Sequence, residues 1–356
     1  MTLQIPTQSG RQATIMSRSA VVIDPEFLKH EPGEFHPERP ERLTALLELT
    51  NALHGGMVQI LPPRQAKIAE IEACHDSQYI DLVRSTSETN GYALDGDTVT
   101  CADSFGTAVL AVGGFLRLLE TMAADELQNG FAMVRPPGHH ALRDRAMGFC
   151  LFNTIAIGAE YLKNHYGAKR ILVMDWDVHH GNGTQDSFYG DPSVLYISTH
   201  QYPYYPGTGA MDEVGTGKGE GYTVNIPLPA GCGDDEYLGV FKQIVMPIAA
   251  KYEPEWVLVS AGFDPHRQDP LGGMLVTEEG FATMASLLLN LAQKFAGGKV
   301  AFLLEGGYNI KALKSSVAAV LQIISGEQRI DLPSQAGGKK IEVIIHKILR
   351  LQESYW

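Results

Sequence analysis

"MDWDVHHGNGTQ", residues 174–185, directly follows the apolar run Ile171–Val173. An apolar, β-branched run that ends in two carboxylates and two imidazoles reads as a buried strand whose carboxyl end opens onto a loop carrying chemistry. Runs of the same kind recur at 131–134, 193–198, 223–228, 256–260 and 299–305. Helices are predicted between them at 40–54, 101–128, 153–166, 234–252 and 277–296, and this alternation is the mark of a parallel α/β sheet. In such sheets ligands sit outside the carboxyl ends of the strands. Four runs end in polar residues: "VRPPGHH" (134–140), "DWDVHHGNG" (175–183), "SAGFDPH" (260–266) and "LEGGYN" (304–309). All four are expected on one rim.

The chain has 356 residues, of which 44% are hydrophobic and 19% charged, enough for a sizeable core. With 28 basic and 41 acidic side chains its net charge is −13, which removes any general attraction to nucleic acid or anionic lipid and favours a cationic substrate. Cys74, Cys101, Cys150 and Cys232 form no CxxC pair, as expected in a reducing, cytoplasmic setting. The first residues lack the apolar core of a secretory signal, and no uninterrupted apolar stretch is long enough for a membrane span. The expectation is a loose tail over 1–19 followed by a single catalytic domain over 20–356.

Asp177 and His179, two residues apart, can face one side of an extended segment, and Asp264 from another strand end completes a three-ligand metal site. Three protein ligands leave one position open for water, which suits hydrolysis better than a structural role. Zinc fits this donor set, and Fe(II) and Mn(II) suit it as well. The tandem His139–His140 supplies a base and a proton donor, one ring held by the Asp175 carboxylate and the other by the neutral Asn182. His180 reads as structural. Tyr308, lifted by Gly306–Gly307, offers a phenol to a developing oxyanion.

Taken in order, "HPERPERL" (36–43), "RPPGHHA", "MGFCLFN", "DWDVHHGNGTQ", "YPGTG", "SAGFDPHRQDPLGG" and "LEGGYN" resemble the histone deacetylase superfamily over roughly residues 20–325. The resemblance implies an arginase/deacetylase-like α/β fold with a central, mostly parallel eight-stranded sheet and helices on both faces. It also implies zinc-dependent removal of acetyl or acyl groups from amines. Asp177, His179 and Asp264 then match the zinc ligands, His139 and His140 the acid/base pair with Asp175 and Asn182, and Tyr308 the carbonyl-polarising phenol. Structural potassium is implied at Asp175, Asp177, His179, Ser198 and Thr199, and again at Phe188, Asp191, Val194 and Tyr222. Gly148, Phe149, Tyr205 and Gly306 match the acyl-lysine channel, and Asp97 the rim aspartate that holds substrate amides.

Asn182 stands where class I members carry aspartate, which resembles the class II and bacterial branch. Leu271 takes the place of the acidic gatekeeper of a polyamine-selective relative, so acetyl-lysine in proteins or peptides is the expected substrate and a small acetylated amine the alternative. An idle acyl-lysine-binding module would have lost a ligand, a histidine or the tyrosine; a two-metal ureohydrolase would carry more bridging ligands. No nucleic-acid or membrane partner is expected, and a homo-oligomer is left open.

Overall fold

The computed structural model describes residues 19–52, 58–89, 91–331 and 337–356. Ten strands occur among them: β1 (Ser19–Val22), β2 (Gln59–Leu61), β3 (Tyr92–Ala93), β4 (Val99–Thr100), β5 (Asn129–Ala132), β6 (Ile171–Asp175), β7 (Val194–Gln201), β8 (Thr223–Leu228), β9 (Trp256–Ala261) and β10 (Val300–Leu304). Strands β3 and β4 form a small antiparallel ribbon; the other eight form one sheet in the order β2-β1-β5-β10-β9-β6-β7-β8. Every neighbouring pair in that sheet is parallel.

The central strands β10, β9 and β6 are buried along their whole length, which is why they read as unbroken apolar runs and not as alternating ones. Helix Ser104–Ala123 packs on Thr154–Tyr166, and Glu278–Phe295 on Ile310–Ile324, with both pairs also touching the sheet. Asn153, Thr277 and Asn309 cap three of these helices, each side-chain oxygen accepting from a backbone N–H in the first turn. By length and composition Ser104–Ala123 is apolar enough to cross a membrane, yet 72% of that stretch is buried inside the fold.

Several expected boundaries move. Strand β5 lies two residues before the predicted 131–134, and the helix predicted over 101–128 occupies 104–123. The predicted helix 234–252 is one continuous run widened by a π turn at Phe241–Val245, just ahead of Pro247, which lacks the N–H that regular helical bonding needs. Strand β1 begins at Ser19, one residue inside the expected tail; the rest of that tail and the last two residues of the predicted helix 40–54 lie outside the described residues.

Strands β5, β10, β9 and β6 are consecutive in the sheet, so the four polar strand ends open side by side. A buried ion cluster ties the chain's first loop to that rim. The Glu38 carboxylate accepts from Arg42 Nη1 at 2.8 Å and from Arg135 Nη2 at 2.7 Å, all three side chains being fully buried. Arg42 Nε donates to the Gly307 carbonyl at 2.7 Å and its Nη2 to that of Glu305. Arg135 Nη1 donates to Phe27 O at 2.9 Å and Nη2 to His30 O at 3.0 Å.

Burial alone would raise the Glu38 pKa, but Arg135 and Arg42 outweigh it and lower it from 4.5 to about 2. Its stabilising effect is therefore whole above pH 4.5 and disappears as the pH falls through 2. Glu38→Gln leaves two buried guanidiniums short of a carboxylate and is expected to cost about 3–5 kcal/mol at pH 7. Urea unfolding at pH 7 and pH 3 checks both points: the loss should be large at the first pH and clearly smaller at the second.

Candidate active site

Strand β6 ends at Asp175, and the turn that follows carries Asp177 and His179 to a point beside Asp264, three residues beyond β9. His179 Nδ1 lies 3.1 Å from Asp177 Oδ1 and 3.1 Å from Asp264 Oδ2. The three ligand atoms fall within 4.8 Å of one another, and both carboxylates are buried. Backbone donors hold them in place: Gly306 N bonds Asp177 Oδ2 at 2.9 Å, and Val178 N bonds Asp264 Oδ1 at 2.9 Å. A Cβ on Gly262 would meet Asp177 Oδ2 at 2.1 Å, and one on Gly306 would meet Asp264 Oδ2 at 2.2 Å, so only glycine permits this approach.

Burial, with Asp177 beside it, pushes Asp264 up to about 7. Two carboxylate oxygens and an imidazole nitrogen sharing one buried point form a donor set that fits zinc, and equally Fe(II) or Mn(II).

The tandem histidines stand beside this cluster with their ring centroids 4.0 Å apart. His139 Nδ1 is 3.0 Å from Asp175 Oδ2, and His140 Nδ1 is 2.8 Å from Asn182 Oδ1. Burial disfavours charge on His139, yet the carboxylates of Asp175, Asp177 and Glu305 prevail and raise it to about 10. His140 is pushed well down, first by burial and then by the charges of His139 and His179. Because Nδ1 of His140 donates to Asn182 Oδ1, its Nε2 carries the free lone pair.

Tyr308 follows β10. Its backbone N–H donates to Asp269 Oδ2 at 2.6 Å, and the Arg42 guanidinium lies 5.0 Å from its ring centroid. Burial keeps the phenol protonated well above its usual range, against the opposing pull of Arg42. A cavity of about 210 Å³ joins His140, His179 and Tyr308 to Gly148, Phe149, Tyr204, Tyr205, Leu271 and Asp97. Gly148 has φ +56°, and a Cβ there would strike the His140 ring at 2.4 Å. Asp97 is anchored through its carbonyl, 3.0 Å from His36 Nε2.

Gly306, expected in the channel wall, instead sits beneath the Asp177 and Asp264 carboxylates, where its N–H is needed and no side chain fits. His180 is bonded to Thr208 Oγ1 at 2.8 Å and Gln185 Oε1 at 3.0 Å, in keeping with a structural place. Ser198 is the neighbour of Asp175 across β6 and β7, and Thr199 Oγ1 beside it is buried with no hydrogen-bond partner among the described residues. Phe188, Asp191 and Val194 occupy one turn, linked by the bonds Asp191 N to Phe188 O and Val194 N to Asp191 O, while the Tyr222 carbonyl accepts from Tyr196 N.

Two further residues belong to the site. Glu305 is fully buried and accepts from Gly138 N at 2.7 Å, His139 N at 3.2 Å and Ser260 Oγ at 3.0 Å; burial pushes it up to about 7. Asp269 binds the backbone N–H groups of Leu271, Tyr308 and Asn309, so one carboxylate sets both a channel-mouth residue and the phenol. An acid closing the apolar run 299–304 was a readable signal for Glu305; the backbone partners of Asp269 left none.

Residues 36–324 match the family model described as histone deacetylase domain. The chain is 37% identical to a probable deacetylase of Archaeoglobus fulgidus, over 95% of this chain and 98% of that one. It is 39% identical to histone deacetylase 15 of Arabidopsis thaliana, over 99% of this chain and 65% of the longer plant protein. The crystal structure of the HDA15 HD domain superposes with a TM-score of 0.88 at 40% identity, covering 96% of each chain.

Asp177, His179 and Asp264 are expected to bind one divalent ion per chain. Protein stripped with a chelator should gain thermal stability on titration with zinc, since an ion bound only by the folded state stabilises it. The gain should disappear in Asp264→Ala. Elemental analysis giving no metal in the wild type after zinc loading and desalting would refute the site.

Proposed function

The chain belongs to the histone deacetylase family, and from that premise we propose that it hydrolyses the amide of an acetylated amine, with the acetyl-lysine side chain of a protein or peptide as its substrate. The observation that carries this reading is the cavity: a narrow slot walled by Phe149 and Tyr205 that ends on His140, His179 and Tyr308 together. Such a slot suits an apolar stem of a few methylenes with a carbonyl at its tip.

Zinc held by Asp177, His179 and Asp264 supplies Lewis acidity, polarising the acetyl carbonyl and acidifying water. His140, neutral and with Nε2 free, takes a proton from the attacking water and later delivers it to the leaving amine nitrogen. His139, kept charged by Asp175, orients the water and opposes the negative charge that develops on the carbonyl oxygen. The Tyr308 hydroxyl donates to that same oxygen. At the mouth, Asp97 accepts from backbone amides of the bound peptide, and Leu271 offers an apolar edge. The buried, unpartnered Thr199 hydroxyl beside Ser198 and Asp175 supports a potassium site there.

Comparing kcat/KM for an acetyl-lysine peptide, acetylputrescine and acetylspermidine tests the substrate. The peptide should be the best of the three; turnover of the polyamines alone would transfer the assignment to small acetylated amines.

Tyr308→Phe keeps the ring and removes one donor to the oxyanion, so kcat should fall by about 10²–10³ with KM little changed. Steady-state kinetics on folded, metal-loaded protein decides this, and near-wild-type kcat counts against the assignment. Asn182→Asp sets a carboxylate against His140 and raises its pKa. A base with a higher pKa is protonated at higher pH, so the acidic limb of the kcat/KM profile should move up and activity at neutral pH should fall. A limb that stays in place removes the case for His140 as the base.

A further inference from the structure

Between helix Met246–Tyr252 and helix Glu342–Gln352 lies a second cavity, of about 480 Å³, that shares no residue with the channel. Its size lies within the range of small-molecule sites. The walls are apolar, made by Pro247, Ile248, Leu349 and Trp356. The indole is fixed before any ligand arrives: Nε1 donates to Gly221 O at 2.8 Å, and the ring packs edge-on against Tyr222 and Tyr252 at 5.4 and 6.0 Å.

Gln352 also lines this cavity. It is 2% exposed, and neither its amide oxygen nor its amide nitrogen has a hydrogen-bond partner among the described residues. A buried primary amide with both ends unpaired is costly, and a group that offers one donor and one acceptor side by side removes that cost. At the mouth stand Lys251 and Arg350, both exposed and neither in an ion pair among the described residues, with Glu353 as the one acid lining the cavity. A locally cationic opening on a chain of net charge −13 favours an anion.

We propose that this cavity binds an N-acylated amino acid with an apolar side chain. In such a molecule the amide N–H and a carboxylate oxygen flank the same carbon and point the same way, so the N–H donates to Gln352 Oε1 while the oxygen accepts from Nε2. The second carboxylate oxygen meets Arg350 and Lys251. The apolar body lies against Trp356, Leu349 and Ile248. One ligand of this class satisfies every unpaired group of the cavity at once.

N-acetyl-L-phenylalanine is the probe, titrated into the full chain by calorimetry and by tryptophan fluorescence, which reports on Trp356 because Trp176 and Trp256 are buried. Saturable one-to-one binding is expected. Its methyl ester, which lacks the charge, and 3-phenylpropanoate, which lacks the N–H, should each bind at least about tenfold more weakly. Gln352→Leu and Arg350→Ala should weaken the probe by a similar factor while leaving turnover of an acetyl-lysine peptide unchanged. Gln352→Leu should also melt no lower than the wild type, since it removes an amide that bonds nothing within the protein. Three results overturn the proposal: no saturation up to about 10 mM, undiminished binding in the Arg350→Ala variant or of the methyl ester, or a large drop in melting temperature for Gln352→Leu, which shows that its amide is paired internally. Should Gln352→Leu fail to fold, the Arg350→Ala variant and the two analogues decide alone.

Discussion

Asp175, Asp177, Asp264 and Glu305 are four carboxyl groups, none more than 1% exposed, gathered beneath the ends of the adjacent strands β10, β9 and β6. Removing one carboxylate from water without compensation is costly, and gathering several adds their repulsion. Much of the local architecture answers that constraint. Gly262, Gly306 and Gly181 stand where a Cβ would fall 2.1 to 2.2 Å from a carboxylate oxygen, so that backbone N–H groups come close enough to donate. Tyr196 Oη reaches Asp175 at 3.2 Å, and Ser260 reaches Glu305. These donors do not settle the account, for Asp264 and Glu305 are both still pushed up to about 7. The surplus negative charge favours a bound cation between Asp177 and Asp264 and a protonated imidazole at His139.

A site assembled from four strand ends also has to be held in register from outside. Glu38, Arg42 and Arg135 do this at one side, because Arg42 bonds the carbonyls of Glu305 and Gly307 while Arg135 bonds those of Phe27 and His30. Asp269 does it at the other, through the N–H groups of Tyr308 and Asn309. Tyr308 is thus gripped by its backbone from the loop after β9 and through its ring by Arg42. Its place is set before any substrate enters.

The parallel sheet was legible because its middle strands are buried on both faces and so appear as continuous apolar runs. Strands β1 and β2 escaped notice for the converse reason: they have four and three residues, and β2 is a half-exposed edge. The clustering of Asp177, His179, Asp264, His139, His140 and Tyr308 was legible because polar residues closing apolar runs have few reasons to be there other than a shared rim. Glu38, Arg42 and Asp269 went unassigned because their partners are backbone groups or residues far away in sequence, and side-chain-to-backbone bonds leave no pattern in residue types. Gly306 was assigned to the channel wall for a similar reason; only the packing of two carboxylates around it reveals its place.

His139 and His140 are identical side chains at consecutive positions, yet their proton affinities are driven in opposite directions. Their separation makes this unavoidable. Two like charges about 4 Å apart at an effective dielectric near 20 repel by about 4 kcal/mol, equivalent to roughly three pKa units, so the pair holds one charge far more readily than two. Which ring takes it is decided by the partners behind them. A carboxylate at Asp175 attracts the proton with its full charge, whereas the Asn182 amide contributes only a dipole. One ring is therefore supplied as a cation and the other as a base, and the division of labour follows from a single difference between two neighbouring hydrogen-bond acceptors.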